Sequence, residues 1–428
     1  MKRTVPATSG VLPGKALTRQ DGAHRVHRSW RLLWGAALVA LLALLPGAGQ
    51  TRAADRSARH MPAAAPPAFS PAIQRQFQQA LDQTVANPTV PGAIVGIWVP
   101  GRGTWIGTAG LADRATKRPM QVQDYTRIGS MTKTFIGTLV LQLVGEGKLG
   151  LDDPIQRWAP RVPNAQHITV RELLNMSSGL YNYGEDKQGW VRQAFVPTGQ
   201  ALARQWSPQQ LVQVAIAHKP YFPPGKGFHY SNTNTILLGL IIEQVTGRPV
   251  EDVLRTRILQ PLGLTHTIFP TTTAMPSPHL HGYSAEGGPL TEVNTTANTS
   301  WAWTAGAMIS TLADLHTWAQ ALATGALIRP ALQRERLIWN PYTVGVRRGA
   351  PGYGLAITND GGFLGHAGTL PGFNTSAGSQ PGARATIVVL TNTEAPAQAE
   401  LQEDKGRGPA QRLFYRLATI VSGLQRAA

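Results

Sequence analysis

Ser130 and Lys133 stand three residues apart in Gly129-Ser130-Met131-Thr132-Lys133. The apolar spacing from Ser130 to Val144 is that of a helix, so the hydroxyl and the amine share one face and can meet. A serine hydroxyl is a weak nucleophile until a base takes its proton, and a desolvated lysine can be that base. The start of a helix also offers free backbone N–H groups to a developing oxyanion. Tyr230-Ser231-Asn232 follows the turn Phe222-Pro223-Pro224-Gly225. A phenol there can relay protons, and the Asn232 amide can orient a substrate carbonyl or Lys133. In Gly365-His366-Ala367-Gly368-Thr369 the glycines let the backbone approach a substrate, and the Thr369 N–H can join that of Ser130 in an oxyanion hole.

These groups need elements to hold them. Ile73, Phe77 and Leu81 fall at helical spacing within a segment ending near Val85. Residues 93–99 and 104–108 read as strands joined by the turn Pro100-Gly101-Arg102-Gly103. Helical stretches broken by Pro and Gly follow at 170–174, 208–217 and 235–245. Residues 385–390 form a β-branched run suited to a buried strand, and 412–424 an amphipathic closing helix. Strands at both ends with helices between them predict an α+β fold, with an antiparallel sheet flanked by helices and an inserted all-helical lobe. The α/β lobe is expected at about 71–145 plus 300–428, and the helical lobe at about 146–299.

The first 54 residues read as an address. A basic stretch to Arg31 precedes the apolar run 32–45 and Pro46, the pattern of a secretory signal peptide. Small residues after it, at 48–49 and 53–54, suit cleavage. That apolar run is short of the roughly twenty residues a membrane span needs, so membrane attachment is expected only through an uncleaved leader. Residues 55–70 form a Pro/Ala linker, and the folded part is expected over 71–428. The chain is therefore expected in the cell envelope or outside the cell, as a monomer.

Composition removes other classes. The formal charge is +17, but eight of the 40 basic side chains and one of the 23 acidic ones lie in residues 1–54. The remaining charges are scattered, with no basic strip interleaved with aromatics, so a nucleic-acid partner is not expected. The chain has no cysteine, which excludes disulfides, thiol nucleophiles and thiolate metal sites. His266, His279 and His281 form a loose cluster with no carboxylate at a recognisable ligand spacing, so neither metal nor cofactor is expected. Tyr181, Tyr183, Trp301 and Trp303 are expected to pack rather than to rim a cleft. Arg347 and Arg348 are read as exposed loop charges.

The three chemical elements, in this order, resemble the serine β-lactamase and penicillin-binding superfamily, most nearly its class C β-lactamase and DD-carboxypeptidase branch. Arg127-Ile128-Gly129-Ser130, the stretch from Leu173 to Leu180, and the stretch from Ala305 to Thr311 also look like that family. The resemblance spans about residues 72–425 and implies a β-lactamase/transpeptidase-like fold. It implies an acyl-enzyme on Ser130, proton transfer shared by Lys133 and Tyr230, substrate positioning by Asn232, and electrostatic help from His366, with Gly368 and Thr369 bordering the substrate. Histidine at 366 and alanine at 367 depart from the Lys-Thr pair of most β-lactamases and point to the peptidase and esterase members. The expected reaction is removal of a terminal D-alanine from cell-wall peptides. A β-lactam or an ester is the alternative substrate, and a penicillin-recognising protein without turnover the other alternative.

Overall fold

The structure is a computed structural model that describes residues 68–186, 204–285, 289–293, 295, 297–343, 352–394 and 407–426. The expected leader, most of the linker, and Arg347 with Arg348 lie outside the described residues.

Two almost continuously buried strands lie at the centre of the one large sheet around which the molecule is built. Its strands, in chain order, are β1 (Gly92–Val99), β2 (Gly103–Asp113), β3 (Arg118–Pro119), β4 (Gly352–Tyr353), β5 (Thr358–Asp360), β6 (Phe363–Leu370), β7 (Phe373–Ser379) and β8 (Thr386–Thr391). They lie in the order β3-β2-β1-β8-β7-β6-β5-β4, with every neighbouring pair antiparallel. Ala93 pairs with Thr391 and Trp98 with Thr386, so the two ends of the folded chain meet at the centre of the sheet.

Ala93, Val95 and Ile97 of β1 and Ile387 and Val389 of β8 enter one core, while Ile94, Val388 and Leu390 enter the other. Period-two side-chain direction thus serves two apolar layers, because the sheet is covered on both faces. On one face lie α1 (Pro71–Val85) and, from the far end of the chain, α5 (Pro409–Arg426). Phe77, Leu81, Leu413, Phe414 and Leu417 fill that layer. The other face carries α2 (Thr132–Gly145) and α4 (Leu312–Thr324), and the larger core extends from it into the helices between β3 and β4. Those helices include α3 (Asn232–Thr246) and shorter segments at Val170–Leu174, Pro208–Ile216 and Val250–Leu254. The fold is thus a large antiparallel sheet flanked by helices, of the β-lactamase/transpeptidase-like kind.

Two local features depart from the pattern read in the sequence. Ser130 lies in a 3₁₀ turn, Gly129–Met131, and α2 begins only at Thr132. The hydroxyl is therefore carried on a tight lead-in rather than on the helix proper. β7 shows no β-branched apolar run, being Phe373-Asn374-Thr375-Ser376-Ala377-Gly378-Ser379, yet all seven residues are buried. Its polar side chains find local partners. Asn374 Nδ2 donates to Gly368 O at 2.9 Å and to Thr369 Oγ1 at 2.9 Å, and its Oδ1 accepts from Ala410 N at 2.9 Å. A buried polar strand is stable only on such terms. Among the described residues no helix is long and apolar enough to cross a membrane.

Candidate active site

The turn Gly129–Met131 is packed backbone against backbone on β6. Gly129 has φ of +51°, in the left-handed region. A methyl group on it would come within 2.6 Å of Thr369 N, and one on Gly368 within 1.9 Å of Ile128 O. Both positions therefore demand glycine. β6 pairs with β5 only as far as Gly365, so His366 to Leu370 run free along that edge, beside the Ser130 turn. The amides of Ser130 and Thr369 border the same seam, as an oxyanion hole requires.

Lys133 sits one turn behind the nucleophile and is fully buried. Its Nζ lies 3.0 Å from Ser130 Oγ, donates to Ala305 O at 2.6 Å, and stands 4.9 Å from the centre of the Tyr230 ring. No carboxylate pairs with it among the described residues. Burial drives its pKa well below that of an ordinary amine. A neutral amine that donates to Ala305 keeps a lone pair for the Ser130 proton.

Tyr230 is partly exposed as a residue but its hydroxyl is buried, and desolvation pushes the phenol up while Ser130 offsets part of that shift. The hydroxyl faces Ser130 without a formed hydrogen bond. Opposite shifts separate the two groups: Lys133 is the one able to lose its proton first, and Tyr230 stays a phenol that can pass protons. The tyrosine is held through its backbone by Asn182. That side chain donates to Tyr230 O at 3.4 Å and accepts from Asn232 N at 3.2 Å. Asn232 opens α3, and its own amide lies against Gly184. The structure ties Lys133 to Ala305 rather than to Asn232.

His366 is 6% exposed. Its Nδ1 donates to Ala367 O and its Nε2 stands 3.3 Å from the Tyr353 hydroxyl. Its ring centre is 6.0 Å from that of Tyr230. Burial first, and the charge of Lys133 second, lower its pKa to about 4. Against the electrostatic help expected from the sequence, burial thus holds the ring neutral through the physiological range.

Ser130, Lys133, Tyr230, His366 and the Gly368–Thr369 backbone thus converge, with Asn232 at their margin. Sequence reading missed three supports: the Ala305 carbonyl, Asn182 and Tyr353. Neither Asn182 nor Tyr353 falls in a spaced motif, and Ala305 acts through its backbone, which no side-chain pattern reveals. Arg127 is a fourth. Its buried guanidinium, lowered to about 10 by desolvation, donates to Thr295 O at 2.9 Å, Ala297 O at 3.2 Å and Thr299 Oγ1 at 3.2 Å.

The other candidates separate. Tyr183 and Trp301 are buried, with the Tyr183 hydroxyl donating to Trp301 O at 2.7 Å, whereas Tyr181 and Trp303 are partly exposed. The histidine cluster divides. His266 Nδ1 lies 3.8 Å from Asp314, while His281 bonds to Glu292 at 2.7 Å with Asp113 close by. The fold brings to His281 the carboxylates that sequence spacing did not supply, Glu292 by a hydrogen bond and Asp113, at the end of β2, by proximity.

A buried lysine on a serine hydroxyl, beside a phenol and an open strand edge, defines a serine hydrolase of the β-lactamase fold. The chain belongs to the Beta-lactamase family, whose model matches residues 77–410. Penicillin-binding protein 4* of Bacillus subtilis (strain 168) is 27% identical over 309 residues, covering 68% of this chain and 66% of its own length. The crystal structure of a D-stereospecific amidohydrolase from Streptomyces sp. is similar at 38% identity and a TM-score of 0.68, covering 75% of this chain and 94% of that one. D-amino acid amidase from Ochrobactrum anthropi SV3, complexed with L-phenylalanine amide, matches at 28% identity and a TM-score of 0.71, over 83% and 99% of the two chains.

Proposed function

We propose that this hydrolase cleaves amides of D-amino acids through an ester on Ser130. The observation that carries the choice is the lack of a basic side chain, Lys or Arg, among the described residues that line the pocket beside the nucleophile. His366 is neutral above about pH 4, and Ala367 offers no hydroxyl. A substrate ending in a free carboxylate wants a cation or several donors there; a neutral amide does not. The likeness to the two D-specific amidases supports the same reading.

In the acylation step Ser130 Oγ attacks the substrate carbonyl as its proton passes to Lys133 Nζ. The carbonyl oxygen becomes an oxyanion between the Ser130 and Thr369 amides. Lys133, through the Tyr230 phenol, returns the proton to the leaving nitrogen. The C–N bond breaks, leaving ammonia or an amine and the acyl ester. Water then attacks that ester, gives its proton to the same lysine, and releases the acid with the Ser130 hydroxyl restored.

The D-alanyl-D-alanine carboxypeptidase expected from sequence is the second reading, favoured by the likeness to penicillin-binding protein 4*. On either reading the chain works outside the cytoplasm, as its leader-like start implies.

The test is release of ammonia from D-amino acid amides and of D-alanine from a D-alanyl-D-alanine peptide, by wild type and Ser130→Ala, in cytosolic and in envelope or medium fractions. Ser130-dependent ammonia release outside the cytosol is expected. D-alanine release in its place would transfer the assignment to the carboxypeptidase, and equal rates in the variant would remove Ser130 as nucleophile. Activity confined to the cytosol would overturn export.

A further inference from the structure

Beside the nucleophile the sheet and the Phe228–Tyr230 segment enclose a pocket of about 360 Å³, within the roughly 300–1,000 Å³ usual for small-molecule sites. Four rings form one continuous wall. Phe228 and Tyr353 lie 5.7 Å apart, Tyr230 and Tyr353 6.0 Å, and Tyr353 and His366 5.8 Å between ring centres, the last at 89°. Two of these rings, Tyr230 and His366, belong to the catalytic group, so an occupant of the pocket touches the reacting centre. Tyr342, 47% exposed, stands at the lining as one of the few large apolar side chains that face solvent.

The single acid in the lining, Asp360, is not a free anion. Its carboxylate accepts from Thr358 Oγ1 at 2.9 Å and from the Tyr415 hydroxyl, and it feels the charge of Arg407. The Tyr353 hydroxyl is likewise engaged, with His366 Nε2. The Asp360 carboxylate and the Tyr353 hydroxyl are thus engaged by other groups, and the lining otherwise combines the aromatic faces and the Ala367 methyl with the Tyr230 hydroxyl and the Gln411 side chain. Rings prefer edge-to-face or offset partners at about 4.5–7 Å, and the wall presents such faces toward the cavity.

From this we infer that the pocket is the specificity site for an aromatic or comparably bulky apolar side chain on the substrate. The inference rests on the amide-hydrolase reading for its substrate, but the recognition it describes does not depend on turnover. A benzyl group that exchanges water for this wall should gain about 10- to 100-fold over a methyl group.

Two measurements on the full chain decide it. The first is the ratio of kcat/KM for D-phenylalaninamide to that for D-alaninamide in wild type and in Phe228→Ala. The ratio is expected above about 10 in wild type and several-fold lower in the variant; a ratio cancels any general damage to the fold. The second is calorimetric affinity for the 2-phenylethyl and ethyl forms of a 1-aminoalkyl boronic acid, which engage Ser130 without turnover. Tighter binding of the phenyl form by about 10-fold is expected even where no amide is hydrolysed, in which case the amidase reading fails and the pocket stands. Equal affinity for the two boronic acids overturns the pocket whatever the enzyme hydrolyses. Tighter phenyl binding that Phe228→Ala leaves unchanged overturns it too, by placing the ring elsewhere.

Discussion

Single side chains divide the proton work because burial acts oppositely on amines and phenols. Desolvation disfavours a charge of either sign, so it lowers Lys133 and raises Tyr230. The acid limb of the rate profile should therefore report Lys133. Activity is expected to rise with pH through an apparent pKa well below 10.5, as the ammonium loses its proton. His366, at about 4, should contribute nothing above pH 5. Lys133→Ala should lower kcat/KM by about 10²–10⁴-fold, the usual worth of a positioned base, and a pH–rate series on both proteins checks it. A limb in the variant identical to that of wild type would assign the titration to another group.

At the scale of elements, the site is a junction between a turn and a strand edge. Gly129-Ser130-Met131 must lie flat on Gly368-Thr369, and a Cβ at 368 would stand 1.9 Å from the Ile128 carbonyl. Backbone cannot retreat as a long side chain can, because β6 is pinned by β7 on its other side. Gly368→Ala should thus separate the Ser130 and Thr369 amides and cost about 1–3 kcal/mol of stability. The expected readout is at least a 100-fold loss in the acylation rate with a p-nitrophenyl ester, alongside a lowered Tm. Full activity would mean that β6 can move away and that the seam is not the oxyanion site.

For the molecule as a whole, two histidines make stability depend on acid. Both His366 and His316, whose ring stacks on Trp98 at 3.9 Å, are lowered to about 4 by burial. In the unfolded chain each returns to about 6.5, so between these values the unfolded state binds more protons than the folded one. The histidine contribution to stability then falls as pH drops from about 6.5 to 4 and is complete above that window. For His366, almost wholly buried, the contribution is up to about 3 kcal/mol. Urea midpoints across pH 4–7 should decline toward acid, and His316→Gln should flatten part of the slope. An unchanged slope would show that the Trp98 contact does not disfavour the imidazolium.

The sequence determined by itself what depends on local order along the chain. The i, i+3 placement of Ser130 and Lys133, the strand-like run in residues 93–99, the β-branched run in 385–390 and the helical spacing of Ile73, Phe77 and Leu81 are all short-range patterns. They carried the nucleophile, its base and the sheet-with-helices class into view. What only tertiary structure decided is whatever depends on burial or on backbone. Burial made His366 a neutral ring rather than a cation, and Lys133 a base without a carboxylate beside it. The Ala305 carbonyl and the Asn182 clamp meet the site from 172 and about 50 residues away. β7 was illegible because its stability comes from partners such as Gly368 and Ala410, not from its own composition. Distance in the chain hides such contacts, and desolvation exists only once the chain has closed around the group.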